Sequence, residues 1–461
     1  MKISNWLFAG VILLAMNSCN KDESDNIDKN AHSAVQWTYS LSSSLGTEVV
    51  DAALPAFDEK NTGYYLVETD NTGLGDINNR HDVWIFSLRS DSSLHWKVKV
   101  NDATTDALDE NFVAYANGKV IAFLKEKLVC LDTLNGNIAW SKTINREYFG
   151  NSLSIANGKL FYIDQSNSQD KLKGYSLETG SELCSITVNS GTGEYVRWDY
   201  TAIAGTKLFV VTSDINNAGM WLSKILIYNI SDISNTSVPA FYLLPKDLYP
   251  KNTIITTSTG NALFYAKYDM TSPYKKYLVM VNGSGNEVFK KEVPSDAQYI
   301  YTDAQDNIYC RTTSDTKIIR FSSNGDKLGE ASFPYYDTFG VFEILENNTF
   351  YGNAEDAETG LSVVAVYDLI SGAEKSRRTV DFPYALLDGN SIEVTKENNR
   401  REEENSSFSN SLVRCVDRSG NIISISGKKI YCVKDAERKL LKRSLGKRFC
   451  QLWKYRLTLK R

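Results

Sequence analysis

From about residue 60 onward the chain alternates short apolar runs with tight polar turns, and one arrangement recurs. A turn built on Asn, Gly or Asp opens a β-rich run. Thr62-Gly63 precedes YYLVE, Asn117-Gly118 precedes KVIAFL, Asn157-Gly158 precedes KLFYID and Gly205-Thr206 precedes KLFVVT. The signal returns at Gly260-Asn261, Asp306-Asn307, Asn347-Asn348 and Gly420-Asn421. Such turns accept the positive φ of tight hairpins, so each copy predicts a two-stranded hairpin. A third strand follows in every copy, as in VWIFSL (83–88), KLVCLD (127–132), ILIYNI (225–230) and KKIYCV (428–433). A second turn and a fourth strand complete the unit, most clearly in SLRSDSSLHWKVKV (87–100) and LDTLNGNIAWSKTI (131–144).

Four short antiparallel strands per copy, with no helical periodicity between them, predict an all-β fold: a β-propeller of four-stranded antiparallel blades. The first and last turn markers, residues 63 and 421, lie 358 residues apart over seven intervals, about 51 per blade, so the loops carry the excess. The count favours eight blades, with seven as the alternative. Residues 35–41 (VQWTYSL) look like a fourth strand lacking its first three. Joining the strands near 412–433 closes the ring and removes a free edge; KLLKRSL (439–445) and LWKYRL (452–457) compete for that place. The expected organisation is a signal segment over 1–18, an acidic tether over 19–34 and one propeller domain over 35–461.

The spacing D-x-x-x-G-x-x-x-W of Asp132, Gly136 and Trp140 resembles the repeat of the PQQ-like (quinoprotein dehydrogenase-like) propellers. Gly136 serves the turn, and Trp140 sits where its ring can pack on the neighbouring blade. Phe289 holds that place in a later copy, while Cys184 and Ser376 do not. PQQ dehydrogenases carry an adjacent Cys-Cys pair that is absent here, so a quinone cofactor is not expected.

Before the repeats, Trp6 to Met16 is an apolar run of 11 residues after Lys2, followed by Asn17, Ser18 and Cys19. It is too short to span a bilayer and fits a secretory signal. A Cys directly after such a run resembles the lipobox of bacterial lipoproteins, in the looser form of Bacteroidetes-type bacteria. The resemblance implies cleavage before Cys19 and its lipidation. Asp22, Glu23, Asp25 and Asp28 follow in a stretch too polar to bury a core. An acidic run in that position is similar to the surface-export signal of Bacteroidetes lipoproteins. The expected location is thus the outer membrane, with the cell surface favoured over the periplasmic side.

The two kinds of within-blade turn on one face are short, whereas the two-to-three loops and the interblade segments on the other are long. Loops on a rigid scaffold carry function, so the long-loop face is the expected binding face. Its interblade segments hold Arg146, Tyr148, Tyr195, Arg197, Trp198, Tyr249, Tyr335, Tyr336 and Tyr384. Amphipathic rings with a polar handle suit a glycan or protein ligand; wedging between blades is the other use for them. In the loop 70–79, Asp70 and Asp76 with Asn71 and Asn78 could offer oxygens to Ca²⁺. The EF-hand pattern is absent there, and a solvated turn-rich loop is the favoured reading.

Composition narrows the chemistry. The 461 residues carry 51 Lys+Arg against 56 Asp+Glu and 42% hydrophobic residues, an ordinary globular mixture. Only 3 His occur, and there is no G-x-S-x-G elbow, so no catalytic constellation is expected. Of the 7 Cys none forms a CxxC pair, and a link from Cys415 to Cys432 or Cys450 stays open. Residues 434–461 hold eleven Lys/Arg and two acids, which suits an anionic surface such as lipid or polysaccharide, not nucleic acid. The favoured function is a non-catalytic binding or scaffold module, similar to the propeller lipoprotein of the outer-membrane β-barrel assembly machinery. The alternative is a propeller polysaccharide lyase or hydrolase using Tyr and Arg on the loop face.

Overall fold

In this computed structural model the described residues lie between His32 and Val433. Left out are 71–80, 105–111, 145–152, 165–169, 190–200, 216–220, 269–274, 313–316, 333–342, 346–348, 356–360, 384–412 and 417–421. Also left out are 34, 47–48, 54, 125, 246–247, 304, 369 and 427–428.

The described strands fall into eight sheets, numbered here in chain order. Sheet 1 comprises Val49–Ala52 with Ala56–Phe57, then Gly63–Asp70, His81–Leu88 and Leu94–Thr104. Sheet 2 is Phe112–Ala116, Lys119–Phe123, Lys127–Asp132 and Ile138–Thr143; sheet 3 is Ser154–Ala156, Lys159–Asp164, Asp170–Ser176 and Glu182–Asn189. Sheet 4 runs Thr201–Ala204, Lys207–Ile215, Trp221–Asn229, Ala240–Leu243, and sheet 5 Leu248–Thr256, Ala262–Tyr268, Lys275–Val281, Glu287–Val293. Sheet 6 is Ala297–Thr302, Ile308–Thr312, Lys317–Phe321 and Lys327–Ser332; sheet 7 is Glu343–Leu345, Thr349–Glu355, Leu361–Asp368 and Glu374–Pro383. Sheet 8 takes Val413–Val416, Ile422–Ser426 and Lys429–Val433 from the far end of the repeats and its fourth strand, Val35–Ser40, from the beginning.

Burial explains why the middle strands read most clearly. Residues 120–123 and 160–164 of the second strands are buried throughout, because sheets pack on both of their faces. The outer strand Ile138–Thr143 alternates between exposed and half-buried. Each core therefore lies between successive sheets. Val83 and Ile85 of sheet 1 pack with Val120 and Val129 of sheet 2, and Phe209 of sheet 4 packs with Phe264 of sheet 5. Ile423 and Ile430 of sheet 8 pack with Val67 and Phe86 of sheet 1, which brings the last sheet back onto the first. Sheets stacked face to face with the ends joined form a closed ring: the chain is a β-propeller.

Trp37 fixes the register of the closing strand. It stands opposite Cys432, as Trp140 stands opposite Cys130 and Trp96 opposite Ser87. Residues 35–40 are thus a fourth strand in register, with the one-turn helix α1 (Leu41–Leu45) behind them. Ser40 accepts from the Ser43 amide at the start of α1 and Gly46 ends it at φ 72. The expected strand therefore stops one residue short of Leu41. A second correction concerns the tether: His32–Ser33 pairs in parallel with Thr379–Val380, where the open edge of sheet 7 accepts it.

Candidate functional site

The two faces of the ring are built differently. On the short-turn face, aromatic rings of one sheet lie on turn glycines of the next. Trp96 covers Gly136, so a Cβ there would lie 2.7 Å from the ring, and its Nε1 donates to the Thr133 carbonyl at 2.8 Å. Trp140 covers Gly180 and donates to the Leu177 carbonyl at 2.9 Å; Phe289 covers Gly325. Trp37 donates to the Ser90 carbonyl at 3.0 Å. Gly136 therefore has two reasons to be glycine, its φ of 73° and the ring above it.

Buried and half-buried carboxylates tie other turns. Asp58 accepts from the Lys60 and Thr62 amides at 2.9 and 2.8 Å and from the Tyr64 hydroxyl at 3.1 Å. Asp303 repeats this with Gln305, Asn307 and Tyr309, so an Asp six residues before a Tyr serves two sheets. Burial pushes both phenols well above the ordinary tyrosine range, and they stay donors. Asp306 reaches across to sheet 5 and accepts from the Ser258 amide, the Ser258 hydroxyl and the Thr259 amide at 2.7, 2.6 and 3.1 Å. One expectation about this face is corrected. The three-to-four turn of sheet 4 spans 230–239 and is long; the Asn235 side chain accepts from the Ser185 amide at 2.6 Å, beside the place where sheet 3 has Cys184 in lieu of a large ring.

A second expectation is corrected on the opposite, long-loop face: of its two-to-three loops only 71–80 exceeds six residues, and the length lies in interblade segments. This face is approached by strand ends carrying most of the buried polar groups among the described residues. Glu68, Thr69, Asp164, Thr212, Arg311 and Thr312 end second strands, while Asp82, Asp170, Ser223 and Lys276 begin third strands. Their partners lie close by. Asp82 and Lys99 pair at 2.7 Å. The Ser154 and Thr201 hydroxyls, which open the first strands of sheets 3 and 4, are 2.8 Å apart. Lys276 donates to the Ala297 carbonyl at 2.5 Å, joining sheets 5 and 6, with its ammonium 5.5 Å from the Tyr265 ring centre. Tyr162 is held protonated above the ordinary range, chiefly by burial, beside Asp164. A continuous apolar second strand ending in a buried polar residue is the signal that could have marked these stems.

Of the residues nominated from sequence, Asp132, Gly136 and Trp140 stand in the docking arrangement above; the Asp132 carboxylate accepts from the Leu134 amide at 2.8 Å. Tyr249 lies on Leu248–Thr256, across from Lys267. Asp70 ends Gly63–Asp70. Cys19, Asp76, Arg146, Tyr148, Tyr195, Arg197, Trp198, Tyr335, Tyr336 and Tyr384 lie outside the described residues. Cys432 is buried and in no disulfide, as are Cys130, Cys184 and Cys310. Cys415 and Cys432 both pair with Ile423 from opposite sides, two strand spacings apart, which is beyond disulfide reach.

No protein-family model and no curated protein sequence matches the chain. Among solved structures it is similar to BamB from Moraxella catarrhalis, at 12% identity over 88% of this chain and 98% of that one, with a TM-score of 0.44. The Dos1 propeller is 10% identical over 89% and 97% of the two chains, TM-score 0.47. The WD40 domain of SCAP from fission yeast is 8% identical over 84% and 95%, TM-score 0.46. At these identities and scores the likeness assigns neither ligand nor partner to this chain.

Proposed function

We propose that this chain is a lipid-anchored propeller that works as a binding or scaffold module at the outer membrane, and that its ligand, a protein or a glycan, docks on the long-loop face. The observation that carries this reading is the asymmetry between the faces. One is locked sheet to sheet by rings over glycines, whereas the strand ends facing the other carry buried polar stems, and it is from there that fourth strands leave into the long interblade segments such as 190–200 and 384–412. A rigid ring presenting variable loops is the arrangement from which recognition surfaces are made. The aromatic and Arg-bearing connections, with Arg146, Tyr148, Tyr195, Arg197, Trp198, Tyr335, Tyr336 and Tyr384, supply the contact groups. Cys19 supplies the anchor, and several acyl chains make it lasting.

The test is a glycan array and a membrane pull-down with the soluble form starting at Ala31. Saturable retention of a sugar or a membrane protein, lost in Trp198→Ala and Tyr335→Ala, is expected. Time-dependent product formation from a retained polysaccharide would overturn the non-catalytic reading.

A further inference from the structure

The direction in which the chain enters the ring bears on which face meets the membrane. Val35 lies across from Val433 and Ser40 across from Lys429. Third strands run from the long-loop face to the short-turn face, so Val35–Ser40 starts at the short-turn face. The bond from Trp37 to Ser90, in a three-to-four turn, places it at the same level. His32–Ser33 runs parallel to Thr379–Val380, on a fourth strand that also climbs from the short-turn face. Traced back to His32, the described chain therefore runs toward the short-turn side.

That side also carries apolar side chains in water. Leu134, Val238 and Ile370, in or beside three-to-four turns, are 76%, 91% and 52% exposed. Leu94, Ile138, Phe241, Val288 and Leu328 are exposed at the first or second position of fourth strands. Among the described residues, Leu243 is the one exposed large aliphatic or aromatic side chain placed elsewhere. Together they occupy the outer rim in sheets 1, 2, 4, 5, 6 and 7. Single exposed apolar side chains are ordinary, but the confinement of eight of these nine to one face of the ring marks that face for an apolar partner. Its spread around a circumference calls for a broad, flat apolar partner, not for a peptide in one groove.

We infer that the short-turn rim rests on a bilayer, its aliphatic residues dipping into the interfacial layer and the long-loop face turned away from the lipid. This rests on the lipid-anchored reading. The twelve residues 20–31 between Cys19 and His32 span about 40 Å at full extension and about 20 Å as a flexible coil. The rim is thus within easy reach, whereas turning the other face to the lipid needs the tether drawn nearly straight around the edge.

The test holds the protein from Asn20, with an N-terminal hexahistidine tag, on vesicles of phosphatidylethanolamine and phosphatidylglycerol that carry nickel-chelating and nitroxide-labelled lipids. A bimane label is placed at Leu134→Cys, Ile370→Cys or Lys275→Cys in a Cys415→Ser, Cys450→Ser background; Lys275 begins a third strand at the long-loop end and is exposed. Quenching at 134 and 370 is expected to exceed that at 275 by about threefold or more, and to fall when Val238 and Leu328 are also replaced by Ser. Equal quenching at all three positions, or the strongest at 275, overturns the inference. The tag stands in for the acyl chains, so this result is independent of lipidation. A mass spectrum of the membrane-purified protein without acyl mass on Cys19 sinks the anchor alone.

Discussion

At the scale of single residues, turn glycines and buried acceptors hold neighbouring sheets together, and each makes a different prediction. Gly136 and Gly118 share a positive φ, 73° and 74°, but a Cβ meets Trp96 at the first and nothing within 4 Å at the second. Gly118→Ala is expected to cost about 1 kcal/mol in urea unfolding, from backbone strain alone. Gly136→Ala should cost about 2–4 kcal/mol, because it also displaces the ring. Equal losses would show that the docking ring contributes nothing. Asp306→Ala removes the acceptor for three donors of sheet 5 and is expected to cost about 2–3 kcal/mol in the same assay. Replacement by Asn, which keeps one acceptor and tolerates the φ of 60°, should recover part of that.

At the scale of elements, the second, third and most fourth strands were legible from turn chemistry and buried apolar runs. The D-x-x-x-G-x-x-x-W spacing suggested only that Trp140 could pack on the neighbouring blade; that it lies over Gly180 was not legible. First strands were not legible where they are short: Ser154–Ala156 and Glu343–Leu345 have three residues, too few for a pattern, and the first strand of sheet 1 is interrupted between Ala52 and Ala56. The fourth strand Ala240–Leu243 hides behind a long turn, and the buried polar stems are single residues with no periodicity. Trp37 could be recognised as a docking ring only once its partner strand, about 390 residues away, was placed. For this element, Trp37→Ala is expected to cost about 2–3 kcal/mol, as a half-buried ring and one hydrogen bond are lost. Deleting residues through Ser40 exposes the edge of Lys429–Val433 and should give dimers or larger species by light scattering. A monomer with an unchanged melting temperature would refute closure by this strand.

At the scale of the whole molecule, protons held inside the ring set an alkaline limit. Burial pushes the Cys130 and Cys310 thiols up to about 12, the Cys184 thiol to about 11 and the Tyr228 phenol to about 12. Unfolded thiols and phenols ionise earlier, at about 8.5 and 10. The unfolded chain therefore sheds protons first as pH rises. Stability from these groups is complete below about pH 8.5 and declines toward pH 12. The urea midpoint should drop steadily over that window, and an alkylating reagent should modify the four buried thiols only after unfolding. The pairing of Val35–Ser40 with Lys429–Val433 has a further consequence for how the protein is made. A ribosome delivers one half of this seam about 390 residues before the other, so final assembly waits for every sheet between them. Premature termination anywhere upstream leaves the first strand without its mate, whatever the quality of the sheets already formed.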